Sequence, residues 1–230
     1  MARLFGGSFQ KILEIGCGTG IYTSLLLSTF SDAFIYAVDI APAMIDVARE
    51  KFGATDRVRF VVEDGETLAD RHSGRFDLIT SNGAFQWFSD LPAALSSLRR
   101  LLRPGGRIHF SLFGRHTFLE LQDVLCSILP TGPVIPAASF PDLATMNLIL
   151  APIFEGVRVE EVTIVRFYPD LMGLLRTLKL TGVVPGPGRM RLHPSLVARM
   201  DALYRKRWEG IRATYRVLLC SARKGRVEMP

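Results

Sequence analysis

Short runs of β-branched and aromatic residues alternate with helix-period segments over the first half of the chain, and few folds accept that rhythm. QKILEIG (10–16), AFIYAVD (33–39), RVRFVVED (57–64), RFDLITSN (75–82) and RIHFSLFG (107–114) read as strands. Between them, residues 19–30 carry helical apolar spacing. Residues 41–52 form a second helix with Pro42 in its first turn, where no amide donor is missed. LPAALSSLRRLLRPGG reads as a third, stopped by Pro104 and two glycines. Consecutive strand–helix units specify an α/β fold: a mostly parallel, Rossmann-like sheet with right-handed crossovers and helices on both faces. After residue 114 the rhythm changes. Helices are expected at 117–129, 170–182 and 194–212, loops at 131–141 and 183–194, and strands at 157–169 and 213–225. The closing strand can pair antiparallel with the one before it. The expected organisation is a single domain over 1–230, with 10–113 as a cofactor-binding core and 114–230 as a substrate-binding part.

Composition narrows the function classes. Apolar residues make up 48% of the chain, enough for a sizeable core, yet no apolar run approaches the roughly 20 residues of a membrane span. The first ten residues lack the apolar stretch of a secretory signal. Cys17, Cys126 and Cys220 are odd in number and far apart, and the four histidines are scattered. Neither a disulfide framework nor a metal site is expected, and a reducing, cytoplasmic setting is. The net charge of +6 is uneven: from Arg176 onward, 13 Lys and Arg face only Asp201, Glu209 and Glu228. Such a segment suits either a solvated helical face or a docking surface for an acidic partner. Nucleic acid is not expected as that partner, because the segment lacks repeated aromatics for base stacking and any known nucleic-acid motif.

The first strand ends in EIGCGTG, placing Gly16, Gly18 and Gly20 after Glu14. Glycines at alternate positions allow a tight turn and let a ligand lie against the backbone. Asp39 closes the second strand, where a carboxylate accepts ribose hydroxyls. Both features also fit a dinucleotide site. The spacing is GxGxG rather than GxGxxG, however, and Glu14 would oppose phosphates while favouring a cation. The acidic pair Glu63-Asp64 at the end of the third strand can accept an adenine amino group. Adenine, ribose, a cationic centre and no phosphate describe S-adenosylmethionine.

On these residues the chain resembles the class I methyltransferases. The resemblance implies that Gly16, Gly18 and Gly20 line the methionyl and ribose portion of the cofactor, with Glu14 beneath its amino-acid end. It implies Asp39 at the ribose, Ile40 and Met44 flanking adenine, and Asp64 with Gly65 at the adenine edge. SNGAFQWFSD (81–90), FGRHTFLELQ (113–122), YPDLMGLLRTLKLTGV (168–183) and TYRVLLCSARK (214–224) resemble malonyl-[acyl-carrier protein] O-methyltransferases of the BioC type. That resemblance implies methylation of the free carboxyl of a malonyl thioester, toward the pimeloyl part of biotin, with malonyl-loaded acyl-carrier protein as partner. The Asn–x–Ala–x–Gln–Trp pattern alone also occurs in trans-aconitate-type carboxyl methyltransferases, which leaves a free small acid as the alternative acceptor. A cofactor-binding but inactive module is the other.

Asn82 is then expected beside the cofactor's methyl-bearing end. Phe85 and Trp87 would be acceptor walls and Gln86 a donor. Arg176 and Lys179, three apart on one helix, would hold the acceptor carboxylate, its phosphopantetheine arm or the carrier, with Arg115, His116 and Arg166 as further candidates. Arg205, Lys206, Arg207 and Arg212 would suit the carrier's acidic surface. No catalytic base is expected, since a malonyl carboxylate is already ionised at neutral pH. Two departures from the family stand out. Relatives usually carry a longer helical N-terminal segment over the site, which residues 1–10 are too short to supply. They also usually have Ala where this chain has Gly65, a change expected to matter little.

Overall fold

The computed structural model describes residues 8–129, 135–180 and 193–225. The expected strands form: β1 (Lys11–Ile15), β2 (Phe34–Asp39), β3 (Val58–Val62), β4 (Phe76–Asn82) and β5 (Leu102–Phe113), followed by β6 (Glu155–Tyr168) and β7 (Ile211–Arg223). One seven-stranded sheet takes the order β3-β2-β1-β4-β5-β7-β6. The pairs β1–β2, β1–β4, β2–β3 and β4–β5 are parallel. β7 runs antiparallel to β5: Gly105 N donates to Lys224 O, and Gly114 N to Arg216 O. The strand order reverses between β1 and β4, and the carboxyl ends of strands at such a reversal are where open α/β sheets bind ligands.

The helices are α1 (Ile21–Thr29), α2 (Pro42–Phe52), α3 (Leu68–Arg71), α4 (Leu91–Leu101), α5 (Leu119–Ile128), α6 (Leu143–Leu150), α7 (Leu171–Leu180) and α8 (Pro194–Arg207). The chain divides into two compact units. One comprises Met1–Leu112, Leu143–Glu160 and Leu219–Pro230, and the other Phe113–Asp142 and Glu161–Leu218. In the first, Ile12, Leu26, Ile35, Ile45, Phe60 and Leu78 build a core. In the second, Phe118, Leu121, Leu174, Met200 and Tyr204 do so.

Two expected boundaries move. Pro104, Gly105 and Gly106 belong to β5 rather than to a helix end. Lys224 pairs with both glycines, so the backbone here is already in the sheet, and β5 slips register against β4 between Phe76 and Leu78 to admit them. The last helix stops at Arg207 instead of running to Arg212, because Gly210 turns the chain at a φ of 127° into β7. α6 has no polar stripe for periodicity to find: it buries Met146 and Leu150 while Leu148 stays exposed. Residues 1–7, 130–134 and 181–192 lie outside the described residues, and with them the N-terminal segment and much of both expected loops. Among the described residues, no helix is long and apolar enough to cross a membrane and no cluster has the makings of a metal site.

Asp77 is buried at the β4 register slip and ties three strands. Its carboxylate accepts from Gln10 N at 2.7 Å and Lys11 N at 3.0 Å, and pairs with Arg103 at 3.0 Å. Asp77→Ala leaves two strand-edge amides without their acceptor. Hydrogen bonds to charged groups contribute about 1.5–3 kcal/mol each, so a loss of about 2–4 kcal/mol is expected, read as a lower urea midpoint with an unchanged slope.

Candidate cofactor site

The site begins with a loop clamped to its neighbour strand. Gly16 N and Cys17 N both donate to Val38 O, at 2.8 and 3.0 Å, which turns the chain sharply off β1. Gly16 sits at a φ of 71°, and a Cβ there would lie 2.3 Å from Ala84 Cβ, so only glycine fits. Gly18, at a φ of 54°, has nothing within 4 Å of its Cβ position: its open side is a bare backbone surface for a ligand. Gly20 leads into α1.

Asp39 rigidifies this loop. One carboxylate oxygen accepts from Gly18 N at 2.8 Å and the other from Ala41 N at 2.9 Å. Each oxygen keeps a second lone pair, and the half-buried carboxylate stands ready for two hydroxyls. The acidic pair after β3 divides its labour. Glu63 is taken by His72 at 2.9 Å and by the Tyr36 hydroxyl at 3.2 Å, leaving Asp64 as the carboxylate free for an adenine edge. Asp64 in turn accepts from Glu66 N, and Glu66 accepts from Ser89 N and Asp90 N, which braces the β3 turn against the 85–90 segment. Ile40 and Met44 are 69% and 41% exposed, which leaves their side chains available to cover a flat ring.

Glu14 is the electrostatic centre of the site. It is fully buried and neither carboxylate oxygen has a hydrogen-bond partner among the described residues. Burial, the largest effect, pushes it up from the ordinary 4.5 to about 8; the nearby Thr23 hydroxyl works against this and the Asp39 charge adds to it. Thr23 is near enough to act through its dipole but does not close a hydrogen bond. Buried acceptors are normally satisfied. A cationic group bound beside the loop would favour the ionised carboxylate, as a methionyl amino group would and a phosphate would not. Thr80 lies opposite Glu14 in the β1–β4 register and hydrogen-bonds Tyr22 at 2.8 Å, with the Tyr22 phenol pushed up to about 12 by burial. Sequence reasoning misses both residues, since only the register reveals them.

The aromatic segment after β4 folds as a 3-10 turn over Phe85–Trp87. Phe85 does not reach an acceptor: it is 0% exposed, with its ring centroid 4.9 Å from Phe88 and 4.8 Å from Phe110. Trp87 is 42% exposed and remains a wall candidate. The Gln86 amide N–H donates to Gly83 O at 2.6 Å, and its Oε1 is buried without a hydrogen-bond partner among the described residues. Asn82 is exposed at the strand end and accepts from the Ser111 hydroxyl at 2.5 Å, which leaves its amide N–H groups outward. Arg176 is exposed on α7 in the second unit; the Lys179 side chain lies outside the described residues.

The basic tail differs from its charge count. Arg205 pairs with Asp201 at 2.6 Å, Arg207 with Asp123, and Arg212 with buried Glu120 at 3.0 Å. Three of the four residues expected to meet an acidic carrier are thus neutralised within the second unit. Lys206, and Arg199 seven residues before it on the same face of α8, are exposed without a carboxylate partner among the described residues. Of the further candidates, Arg115 lies 3.9 Å from Asp142, and His116 is exposed at a φ of 68°.

Comparison with known proteins agrees with the geometry. Residues 12–106 match a family model described as "Methyltransferase domain". A malonyl-[acyl-carrier protein] O-methyltransferase of Paenibacillus sp. is 36% identical over 228 residues, covering 92% of this chain and 82% of the relative. One from Ilyobacter polytropus is 35% identical over 172 residues, covering 75% of this chain and 63% of the relative. The solved YcgJ protein of Bacillus subtilis superposes with a TM-score of 0.67 at 17% identity, over 98% of this chain and 96% of its own, which establishes the shared fold. The chain belongs to the malonyl-[acyl-carrier protein] O-methyltransferase family.

Charge and packing at the site each have a measurable consequence. The folded protein holds the Glu14 proton between the ordinary 4.5 and about 8, while the unfolded chain releases it. The protein without ligand therefore loses stability as pH rises across that window. Glu14→Gln flattens the dependence, as melting temperature against pH will show. Separately, a Cβ on Gly65 would lie 2.6 Å from Ile15 Cγ2 and 3.0 Å from Phe88 Cζ, so the change to Ala is not mild here. Gly65→Ala overpacks this corner at about 1–3 kcal/mol, measurable by urea unfolding.

Proposed function

We propose that the chain transfers a methyl group from S-adenosylmethionine to the free carboxyl of malonyl-[acyl-carrier protein], a step toward the pimeloyl part of biotin. The observation that carries this reading is the 36% identity to a malonyl-[acyl-carrier protein] O-methyltransferase across 92% of the chain. The site supports it independently, because the partnerless Glu14 oxygens and the bare surface at Gly18 fit a cationic nucleoside.

When bound, S-adenosylmethionine supplies an electrophilic methyl on a positively charged sulfur. The chain's own residues bind, orient and dry the reactants. Asp39 holds the ribose, Asp64 and the backbone at Gly65 meet the adenine edge, and Ile40 and Met44 cover the ring. Glu14 answers the amino-acid end. Asn82 fixes the approach to the reacting centre, and Trp87 with Gln86 walls the acceptor. A carboxylate nucleophile carries no proton to remove, so the work is alignment and exclusion of water from an already charged oxygen. Arg176 and Lys179 are assigned to the acceptor's carboxylate or its phosphopantetheine arm. The acidic carrier falls to Arg199 and Lys206, the cations of α8 left without a carboxylate among the described residues.

The test measures transfer of labelled methyl to malonyl-[acyl-carrier protein] alongside free malonate and trans-aconitate. Transfer to the carrier-bound acid is expected to dominate and to weaken with added salt, as steering by exposed charge does. Arg176→Glu should lower carrier-dependent transfer about tenfold, the equivalent of 1.4 kcal/mol, with cofactor affinity by calorimetry unchanged. Transfer to the free acids alone would sink the carrier reading. Cofactor binding with no transfer to any of these acceptors would sink both.

A further inference from the structure

β6 ends the sheet, so among the described residues one of its edges has no neighbouring strand. Its second half is bare in another sense: all eight residues from Glu160 to Phe167 are exposed, although alternate side chains point to opposite faces. Val162, Ile164, Val165 and Phe167 are 38%, 42%, 44% and 68% exposed. Soluble proteins blunt such edges with lysine, proline or a very short strand. β6 runs for 14 residues and contains neither lysine nor proline. The charges it does carry, Glu155, Arg158, Glu160, Glu161 and Arg166, are of both signs, so they guard the edge against a strand of complementary charge less than a row of lysines would.

The order of residues points to one such strand. Laid antiparallel against a second copy about a two-fold axis at Thr163, β6 brings Glu160 opposite Arg166 of the other copy, and Arg166 opposite its Glu160. Val162 then faces Ile164, Glu161 faces Val165, Val159 faces Phe167, Arg158 faces Tyr168, and Thr163 meets itself. Opposite charges, apolar pairs and Thr–Thr pairs are the cross-strand combinations that stabilise a ladder. Neither Glu160 nor Arg166 has a salt bridge among the described residues, whereas Glu161 is already held by Arg216 at 2.8 Å. Moving the axis one residue toward the amino end sets Arg158 against Arg166, a like-charge pair. Moving it one residue toward the carboxyl end sets Arg166 against Val162. Of these three registers, only the one centred on Thr163 sets Glu160 against Arg166, and an isologous contact forms that pair twice.

We propose that β6 pairs with β6 of a second copy of this chain, forming a two-fold dimer through a continuous sheet centred on Thr163. Two exchanged Glu160–Arg166 ion pairs set its register.

The test uses the full chain in sedimentation velocity over a dilution series. Wild type is expected to dimerise at high micromolar concentration and to dissociate on dilution. Glu160→Arg alone and Arg166→Glu alone should each weaken association about tenfold or more, since two ion pairs become two repulsions. The double exchange should restore it. All four positions changed or contacted are exposed, so circular dichroism is expected to show each variant folded. In a Cys126→Ser background, Thr163→Cys should oxidise to a covalent dimer and Val165→Cys should not. A wild type that stays monomeric throughout the series, or a double exchange that fails to recover the association lost in the single variants, overturns the proposal. So does equal cross-linking at 163 and 165, which would mean an edge contact without this register.

Discussion

Everything at the cofactor site depends on one backbone arrangement: the carbonyl of Val38 receiving both Gly16 N and Cys17 N. Two donors on one acceptor force the chain off β1 within a single residue. That reversal needs a positive φ at Gly16 and the close approach of Ala84 that only a missing side chain permits. With the turn set, Gly18 N comes to rest on the Asp39 carboxylate, and the same carboxylate caps the entry to α2 through Ala41 N. The Asp39 carboxylate and the glycine loop are thus one rigid object, held by four hydrogen bonds that exist before any ligand arrives. Preorganisation of this kind lowers the cost of binding because little remains to be ordered.

Two fully buried carboxylates, Glu120 and Glu14, sit in opposite environments. Glu120 receives Arg212 Nε at 3.0 Å, Thr214 N at 3.0 Å and the Thr214 hydroxyl at 2.5 Å, and its charge is matched inside the second unit. Glu14 receives no hydrogen bond among the described residues, and burial holds its proton on to about 8. A fold selected for stability alone would not leave two acceptor oxygens in an apolar interior. The cost is tolerable where a ligand's donors repay it. A cationic ligand also reverses the electrostatics that keep Glu14 neutral, since a nearby positive charge favours the ionised carboxylate.

The alternation of strands and helices makes the parallel half of the sheet legible, because buried strands are short apolar runs and the turns between them are marked by glycine, proline and aspartate. Asp39 and Gly18 are legible for the same reason: strand ends and glycine loops are local events. What depends on register is not. Nothing in the order of residues says that Thr80 lies opposite Glu14 or that His72 will claim Glu63 and leave Asp64. Phe85 shows the limit most sharply. An aromatic cluster at a sheet end is ambiguous between core and binding wall. The 3-10 turn sends Phe85 inward against Phe110 while Trp87, two residues on, stays exposed.

Charge counting fails differently from pattern reading, and for a physical reason. The excess of 13 cations over three anions from Arg176 onward suggests a uniformly basic surface. The sum is right, but the carboxylates that answer it come from elsewhere in the chain: Glu120 and Asp123 from α5 and Glu161 from β6, with Asp201 the exception. Sequence distance does not measure charge separation once strands are brought together, and a paired guanidinium contributes little to the field that steers an acidic partner. What steers is the unpaired remainder, which reduces a tail of many cations to a few positions such as Arg176, Arg199 and Lys206. A surface of few charges attracts an acidic partner without holding it tightly, which suits a contact that must form and dissociate repeatedly.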